Sequence, residues 1–331
     1  MRIGYNTWSM ATVPYQVFIP RLAEIGYTAI AISVVPGYGI GGRRVQNAGD
    51  LARLSRDDRR RIREEFEQRG LELPSIVGNQ RIIEDDPERS KAALQRLRET
   101  IDFCVEVAPR GPSGPHGPGG PGGQRVPTMN TGAGGRPEDF ESHRQQLVDR
   151  LGDLARYAGA RGVVVCIEPH VGAAIDTPER SEWLVRAVDS PYVRLDFDVS
   201  HFEVVGIPLE QSVPWLAPLS GAVEIKDQTF RYVDEADEGA RAGWRIEGNG
   251  LGRAAAPDGR PVEYQFLLGG EGDFDLPRYL RLLQQAGWTG AVAFEASVQC
   301  QSRPGYDALA AAASTYRWMA DGWAAAGVPR D

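Results

Sequence analysis

Four strand-like runs in the second half of the chain each end in a carboxylate, and these acids are the strongest chemical signal in the sequence. The runs are VVVCIE ending at Glu168, VRLDFD at Asp198, GAVE at Glu224 and GAVAFE at Glu295. Side chains alternate between the two faces of a strand, so in every run one face is apolar and the acid points the other way. Four converging acids repel one another unless a cation lies among them, and a divalent metal is the natural candidate.

A closed barrel of parallel strands would bring these acids together. Short apolar runs alternate with longer amphipathic patterns along the chain, which predicts eight strand–helix units. In such a barrel one face of each strand packs on the helices, the other faces the lumen, and catalytic groups lie at the C-terminal mouth. We therefore predict an α/β fold, a single-domain (β/α)8 TIM barrel spanning residues 1–331.

Two segments depart from the regular unit. The acids at 168, 198 and 224 are about one unit apart, whereas 71 residues separate 224 from 295. This gap predicts an insertion at about 229–270 after the seventh strand, acting as a lid or an oligomer contact. The segment GPSGPHGPGGPGG, 111–123, precedes the fourth strand. Its composition predicts a Gly/Pro-rich loop at the opposite end of the barrel, away from the chemistry.

Composition and charge exclude several classes of function. The formal net charge is -8, which makes nucleic acid and anionic lipid poor partners. The sequence has no run of 18 apolar residues and no evident signal peptide, so we expect a cytoplasmic protein that does not span a membrane. Three widely spaced cysteines indicate reduced thiols.

The order of the motifs adds a resemblance to a known family. Glu-Pro at 168–169, D-x-x-H at 198–201, x-x-K-D at 224–227 and Phe-Glu at 294–295 occur in sequence order. Together they resemble the xylose-isomerase-like TIM-barrel superfamily, which includes sugar phosphate isomerases and epimerases. The stretch 270–295 looks like the last turn and last strand of that family.

The resemblance implies a divalent ion, usually Mn²⁺ or Mg²⁺. Carried over, its ligands are Glu168, Asp198, position 224 and Glu295. The family motif has His where this chain has Glu224, and two interpretations stay open. Either four carboxylates form an oxygen-only set that favours hard ions such as Mg²⁺ and Mn²⁺, or His201 replaces Glu224 as a ligand.

The resemblance also implies an activity. We expect an isomerase or epimerase that acts on a small sugar or related polyhydroxy carbonyl compound through a metal-stabilised enediolate, with Glu168 and Glu295 transferring the proton. Alternatives are a dehydratase or lyase acting on a keto-inositol or 3-keto-sugar, and a non-catalytic sugar-binding barrel. A homo-oligomer is also possible.

Four further residues are candidates for binding the carbohydrate substrate. His201 and Lys226 are expected to hydrogen-bond substrate oxygens. Trp8 ends the first predicted strand and is a candidate for stacking on a sugar ring, with a core aromatic as the alternative. His170 is a candidate substrate contact, with an ordinary loop histidine as the alternative.

Overall fold

The protein folds into a closed barrel surrounded by helices. The structure is a computed structural model that describes residues 1–35, 38–40, 43–45, 50–110, 126–233 and 250–330. Within these residues the strands are β1 (Arg2–Asn6), β2 (Ala29–Ser33), β3 (Tyr38–Ile40), β4 (Arg43–Val45), β5 (Ile76–Arg81), β6 (Thr128–Gly132), β7 (Val164–Glu168), β8 (Val193–Asp198), β9 (Ser220–Ile225), β10 (Asp227–Tyr232), β11 (Gly252–Ala255), β12 (Pro261–Leu267) and β13 (Ala291–Phe294). The helices are α1 (Tyr15–Ile25), α2 (Arg56–Arg69), α3 (Pro87–Val107), α4 (Phe140–Gly159), α5 (Pro178–Val188), α6 (Ser200–Glu203), α7 (Leu209–Leu216), α8 (Leu276–Gln285), α9 (Val298–Gln301) and α10 (Ala308–Ala326).

Eight of the strands pair in parallel to close the barrel. Their order around it is β1, β2, β5, β6, β7, β8, β9 and β13, and β13 returns to β1. Sequential neighbours in the chain are neighbours in the barrel, as right-handed strand–helix–strand units require. The predicted (β/α)8 fold is confirmed.

The alternation of side chains along the strands separates two apolar regions. Val165, Ile167 and Phe197 belong to the large core between the barrel and its helices. Val164 and Cys166, on the opposite face of β7, form a small separate cluster with Ala222 inside the barrel. The acids share this inward parity, so the strands aim them into the lumen.

Local signals in the sequence determine where the helices begin and end. Ser55 caps α2 in a capping box with Asp58, and Gly70 ends the helix in a left-handed conformation at φ 63°. Asp86 caps α3 and Pro87 occupies its first turn. Among the described helices, none is both long enough and apolar enough to cross a membrane.

The segment after β9 forms a second, smaller sheet. Strands β10, β12 and β11 pair antiparallel in that order, and they fall within or next to the insertion predicted at about 229–270. Residues 234–249 of that insertion lie outside the described residues, as does the predicted loop at 111–123.

Candidate active site

The four acids that end the predicted strands lie at one mouth of the barrel. Glu168 and Asp198 are the last residues of β7 and β8, Glu224 is the last but one of β9, and Glu295 directly follows β13. In the parallel ladder Glu224 pairs with Asp198 on one side and Ala293 on the other. The strand ends therefore bring together carboxyl groups from distant parts of the chain.

The side chain of Lys226 lies among these carboxylates. It is buried, and its ammonium group hydrogen-bonds to Asp198 Oδ2. The same Nζ is 3.3 Å from Glu295 Oε1 and 3.8 Å from Glu168 Oε1. Burial alone would lower the pKa of this amine, but the three carboxylates raise that pKa well above its ordinary value. The carboxylates therefore favour the charged form of Lys226.

His201 places a nitrogen beside two of the carboxylates. It lies on α6, directly after β8, and its Nε2 is 3.2 Å from Glu168 Oε1 and 3.7 Å from Asp198 Oδ2. One ligand atom from each of these three residues lies within 4.8 Å of the other two. Two ligands bonded to one ion at about 2.1 Å are roughly 3.0–4.2 Å apart. His201 Nε2 lies within this range of both oxygens, so the three atoms are candidate ligands of one divalent ion.

Glu224 has different neighbours. Its side chain is buried, and Asn6 Nδ2 donates to Glu224 Oε1 at 2.8 Å and to Glu295 Oε2 at 3.2 Å. Burial and the charges of nearby acids raise the pKa of Glu224 well above its ordinary value. The structure thus joins Glu224 to Glu295 through Asn6, apart from the group formed by Glu168, Asp198 and His201.

The other carboxyl groups differ in their electrostatic surroundings. Burial would raise the pKa of Glu168, but the hydrogen bond with His201 and the charge of Lys226 hold that pKa at about 2. The charges of Lys226 and His201 likewise outweigh burial at Asp198 and lower its pKa. At Glu295 burial prevails over the charge of Lys226, so its pKa is raised. Glu295 therefore takes up a proton more readily than Glu168 or Asp198.

A cavity of about 310 Å³ adjoins these groups. Five of the residues singled out in the sequence line it, namely Trp8, Glu168, His170, Lys226 and Glu295. The others, Asp198, Glu224 and His201, are buried and do not line it. The ring of His201 packs against that of His170, with centroids 3.8 Å apart. His201 therefore contacts the acids, while His170 faces the cavity.

Several residues of the site were not singled out in the sequence. Asn6 ends β1, and its position as a polar residue at a strand end is the signal that could have revealed it. Asn130 on β6 hydrogen-bonds to the buried carboxyl group of Asp196 on β8. Tyr264 and Phe266 line the cavity from β12, which the sequence predicted only as part of an insertion.

Asp227, the residue after Lys226, organises a neighbouring loop. Its buried carboxylate accepts hydrogen bonds from the backbone N–H groups of Gly270 and Gly272 at 2.8 Å and of Phe274 at 3.2 Å. These bonds tie the start of β10 to the segment that leads into α8. The Asp of the x-x-K-D motif thus supports the site through the backbone.

Solved structures resemble the chain over nearly its full length. A 3-keto-D-glucoside 4-epimerase from E. coli, in its apo form, has a TM-score of 0.65 and 16% identity, covering 97% of this chain and 99% of that one. A D-psicose 3-epimerase in the presence of D-fructose has a TM-score of 0.67 and 13% identity, covering 99% and 100%. The IolI protein with a bound zinc atom has a TM-score of 0.65 and 17% identity, covering 97% and 98%. At these identities the likeness shows the fold.

Sequence comparison gives the family. Among curated proteins, none matches the chain. The sequence model of the xylose isomerase-like TIM barrel family matches residues 19–321, most of the chain. The barrel, the acids at its C-terminal mouth and this match agree, and the chain belongs to the xylose isomerase-like TIM barrel family.

Proposed function

We propose that the protein is a divalent-metal-dependent isomerase or epimerase acting on a small sugar or a related polyhydroxy carbonyl compound. The observation that carries this proposal is the pair of carboxyl groups of Glu168 and Glu295, which come from separate strands and line one cavity of about 310 Å³. Both lie within 4 Å of the ammonium group of Lys226. Two acids and a cation around one small cavity suit the removal and return of a carbon-bound proton.

The metal would be held by Glu168, Asp198 and His201, whose ligand atoms already lie close together. The two carboxylate oxygens suit Mn²⁺ or Mg²⁺, and the imidazole nitrogen suits Zn²⁺. When bound, a divalent ion stabilises negative charge that develops on the oxygens of the substrate. Glu224 and Glu295 are the further ligand candidates from the sequence, and both accept a hydrogen bond from Asn6.

Of the two proton-transfer candidates from the sequence, Glu168 and Glu295, we assign the proton transfer to Glu295. The raised pKa of Glu295 brings this carboxyl group closer to neutral pH, where a general acid or base is most effective. Glu168 is held ionised with a pKa of about 2, which suits it to accept a hydrogen bond from a substrate hydroxyl and to hold the metal. Opposed environments of two acids in one cavity are the usual sign of divided roles.

The remaining cavity residues would bind and orient the substrate. Lys226 offers an ammonium group and His170 an imidazole to sugar oxygens. The indole of Trp8 and the rings of Tyr264 and Phe266 offer apolar faces for the C–H side of a sugar ring. Two of the similar structures, a 3-keto-glucoside epimerase and a psicose epimerase, support a carbonyl-bearing sugar as the substrate class.

Deuterium exchange tests this function even when the product has not been identified. The protein, loaded with Mn²⁺, is incubated in D₂O with a panel of ketoses, inososes and 3-keto-glucosides, and mass spectrometry follows deuterium uptake next to the carbonyl. We expect uptake into at least one compound, slowed by about 10²–10⁴-fold with Glu295→Gln. Uptake with loss of water would indicate the dehydratase alternative. No uptake across the panel, with metal bound, would contradict the proposal and favour a binding protein.

A further inference from the structure

The ammonium group of Lys226 contacts all three atoms that are best placed to hold a metal. It hydrogen-bonds to Asp198 Oδ2, is 3.8 Å from Glu168 Oε1, and is 3.3 Å from His201 Nε2. The same two oxygens are those that face His201 Nε2. A cation of the protein itself therefore uses the atoms that a bound metal would use.

The two cations exclude each other from these positions. An ion bonded to the three atoms at about 2.0–2.3 Å would lie beside a like charge in a buried site, where repulsion between charges is strong. Metal binding therefore requires the ammonium group to move. The adjoining cavity gives it room, because Lys226 lines that cavity and Nζ is 5.6 Å from the centroid of Phe266.

The charge balance also favours an exchange of cations. Glu168, Asp198 and Glu295 surround Lys226, so three ionised carboxylates would retain two negative charges beside one ammonium group. A divalent ion supplies two positive charges. A divalent ion that takes the place of the ammonium group would leave one negative charge on these three carboxylates instead of two.

Lysine is rare in this chain, and one of its few lysines lies at this position. Lys226 is one of two lysines among 37 basic residues, and the other 35 are arginines. A compact ammonium group can direct its three N–H donors toward three converging acceptors, which a planar guanidinium cannot do. The ammonium group thus places a compact positive charge at this site, as a metal ion would.

We propose that Lys226 is an internal counter-ion that occupies the metal's position and must be displaced when a divalent cation binds. This inference rests on the metal site of the proposed function. After displacement the ammonium group reaches the cavity, where it binds a substrate oxygen. Metal binding and the positioning of the substrate are coupled through this one side chain.

Calorimetry on the full-length, metal-stripped protein tests the competition. Mn²⁺ is titrated into the wild type, into Lys226→Met, and into Lys91→Met as the matched control on the exposed surface of α3. Because a competing occupant lowers apparent affinity by the fraction of sites it fills, Lys226→Met should bind Mn²⁺ about tenfold or more tightly, and Lys91→Met should match the wild type. Equal or weaker binding by Lys226→Met would overturn the inference.

A second measurement uses the wild type and does not depend on the folding of a variant. With two lysines in the chain, ¹⁵N labelling of the lysine side chains gives few nitrogen signals to follow during titration with diamagnetic Zn²⁺. The signal of Lys226 should shift or broaden in proportion to bound metal, while that of Lys91 stays in place. Stoichiometric binding with an unchanged Lys226 signal would contradict displacement.

These readouts separate the inference from the proposed function. Neither uses turnover, so cation exchange at Lys226 can be established even if no sugar is processed. Conversely, deuterium exchange with an unchanged Lys226 signal would support the enzyme and reject the displacement. Absence of metal binding in both the wild type and Lys226→Met would overturn the metal site and the inference together.

Discussion

At the scale of single residues, Glu295 is the carboxyl group best suited to carry the proton. It lines the cavity, lies 3.3 Å from Lys226 and has a raised pKa because burial prevails over that charge. Glu295→Gln keeps the shape of the side chain and removes its ability to exchange a proton. We expect turnover to fall by about 10²–10⁴-fold, as for other general acid–base groups, with the circular dichroism spectrum unchanged. Full activity in this variant would exclude Glu295 from proton transfer.

Glu224 provides a second prediction at this scale. It stands where the family motif has His, and Asn6 holds its Oε1 at 2.8 Å. Because the metal is assigned to Glu168, Asp198 and His201, Glu224→His should leave the preference between Mn²⁺ and Zn²⁺ unchanged. Competitive metal binding followed by elemental analysis measures this preference. A shift toward Zn²⁺ or Co²⁺, which imidazole suits better than carboxylate does, would show that position 224 is a ligand, and Glu224→Gln serves as the control that keeps the contact with Asn6.

The sequence predicts these residues unevenly. The parity and spacing of Glu168 and Asp198 are local properties of strands, so they could be inferred from the chain alone. The contacts of Lys226 with three carboxylates could not be inferred in this way, because they depend on the register between β7, β8, β9 and β13. Asn6 was not predicted as a site residue for the same reason, since its hydrogen bonds to Glu224 and Glu295 cross the barrel from β1.

At the scale of elements, Asp227 and the loop it binds give a stability prediction. A Cβ at Gly272 would overlap with Asp227 Oδ1 and lie 2.7 Å from the carbonyl oxygen of Gln228. Gly272→Ala must therefore push the loop away from the carboxylate that holds it, which we expect to destabilise the protein by about 1–3 kcal/mol. Thermal denaturation measures the effect.

A second glycine provides the matched control. Gly152 lies inside α4, and its nearest contact for a new Cβ is 3.7 Å away on the side chain of Arg156. Gly152→Ala should raise stability by about 0.5–1 kcal/mol, because Ala is the better helix former. If Gly272→Ala were as stable as the wild type, the loop would have adjusted to the new side chain. The hydrogen bonds to Asp227 would then not be needed for the stability of the protein.

The elements themselves were largely predictable. Capping residues such as Ser55 and Asp86 and the stop at Gly70 define helix ends through short-range hydrogen bonds, which the sequence contains directly. The antiparallel sheet of β10, β12 and β11 was not predicted, although Val262, Tyr264 and Phe266 alternate with Glu263 and Gln265 along β12. Its Phe266 and Tyr264 reach the cavity only through that pairing.

At the scale of the whole molecule, the candidate site lies at one end of the barrel, and the elements that flank the Gly/Pro-rich segment meet at the other end. The elements on either side of the Gly/Pro-rich segment are α3, which ends at Val107, and β6, which begins at Thr128. The start of a barrel strand lies opposite the mouth that holds Glu168 and Glu295. Removing residues 111–123 should leave kcat/KM within about twofold, since the catalytic end is untouched. An intact fold with lost activity would show that this segment reaches the site.

Anomalous diffraction from crystals of the full chain grown with Mn²⁺ tests the central claim most directly. We predict one strong peak at the barrel mouth, about 2.0–2.3 Å from carboxylate oxygens of Glu168 and Asp198 and from Nε2 of His201, with Lys226 turned into the cavity. Manganese bound only elsewhere, or a mouth in which these side chains share no ion at saturating Mn²⁺, would contradict the account.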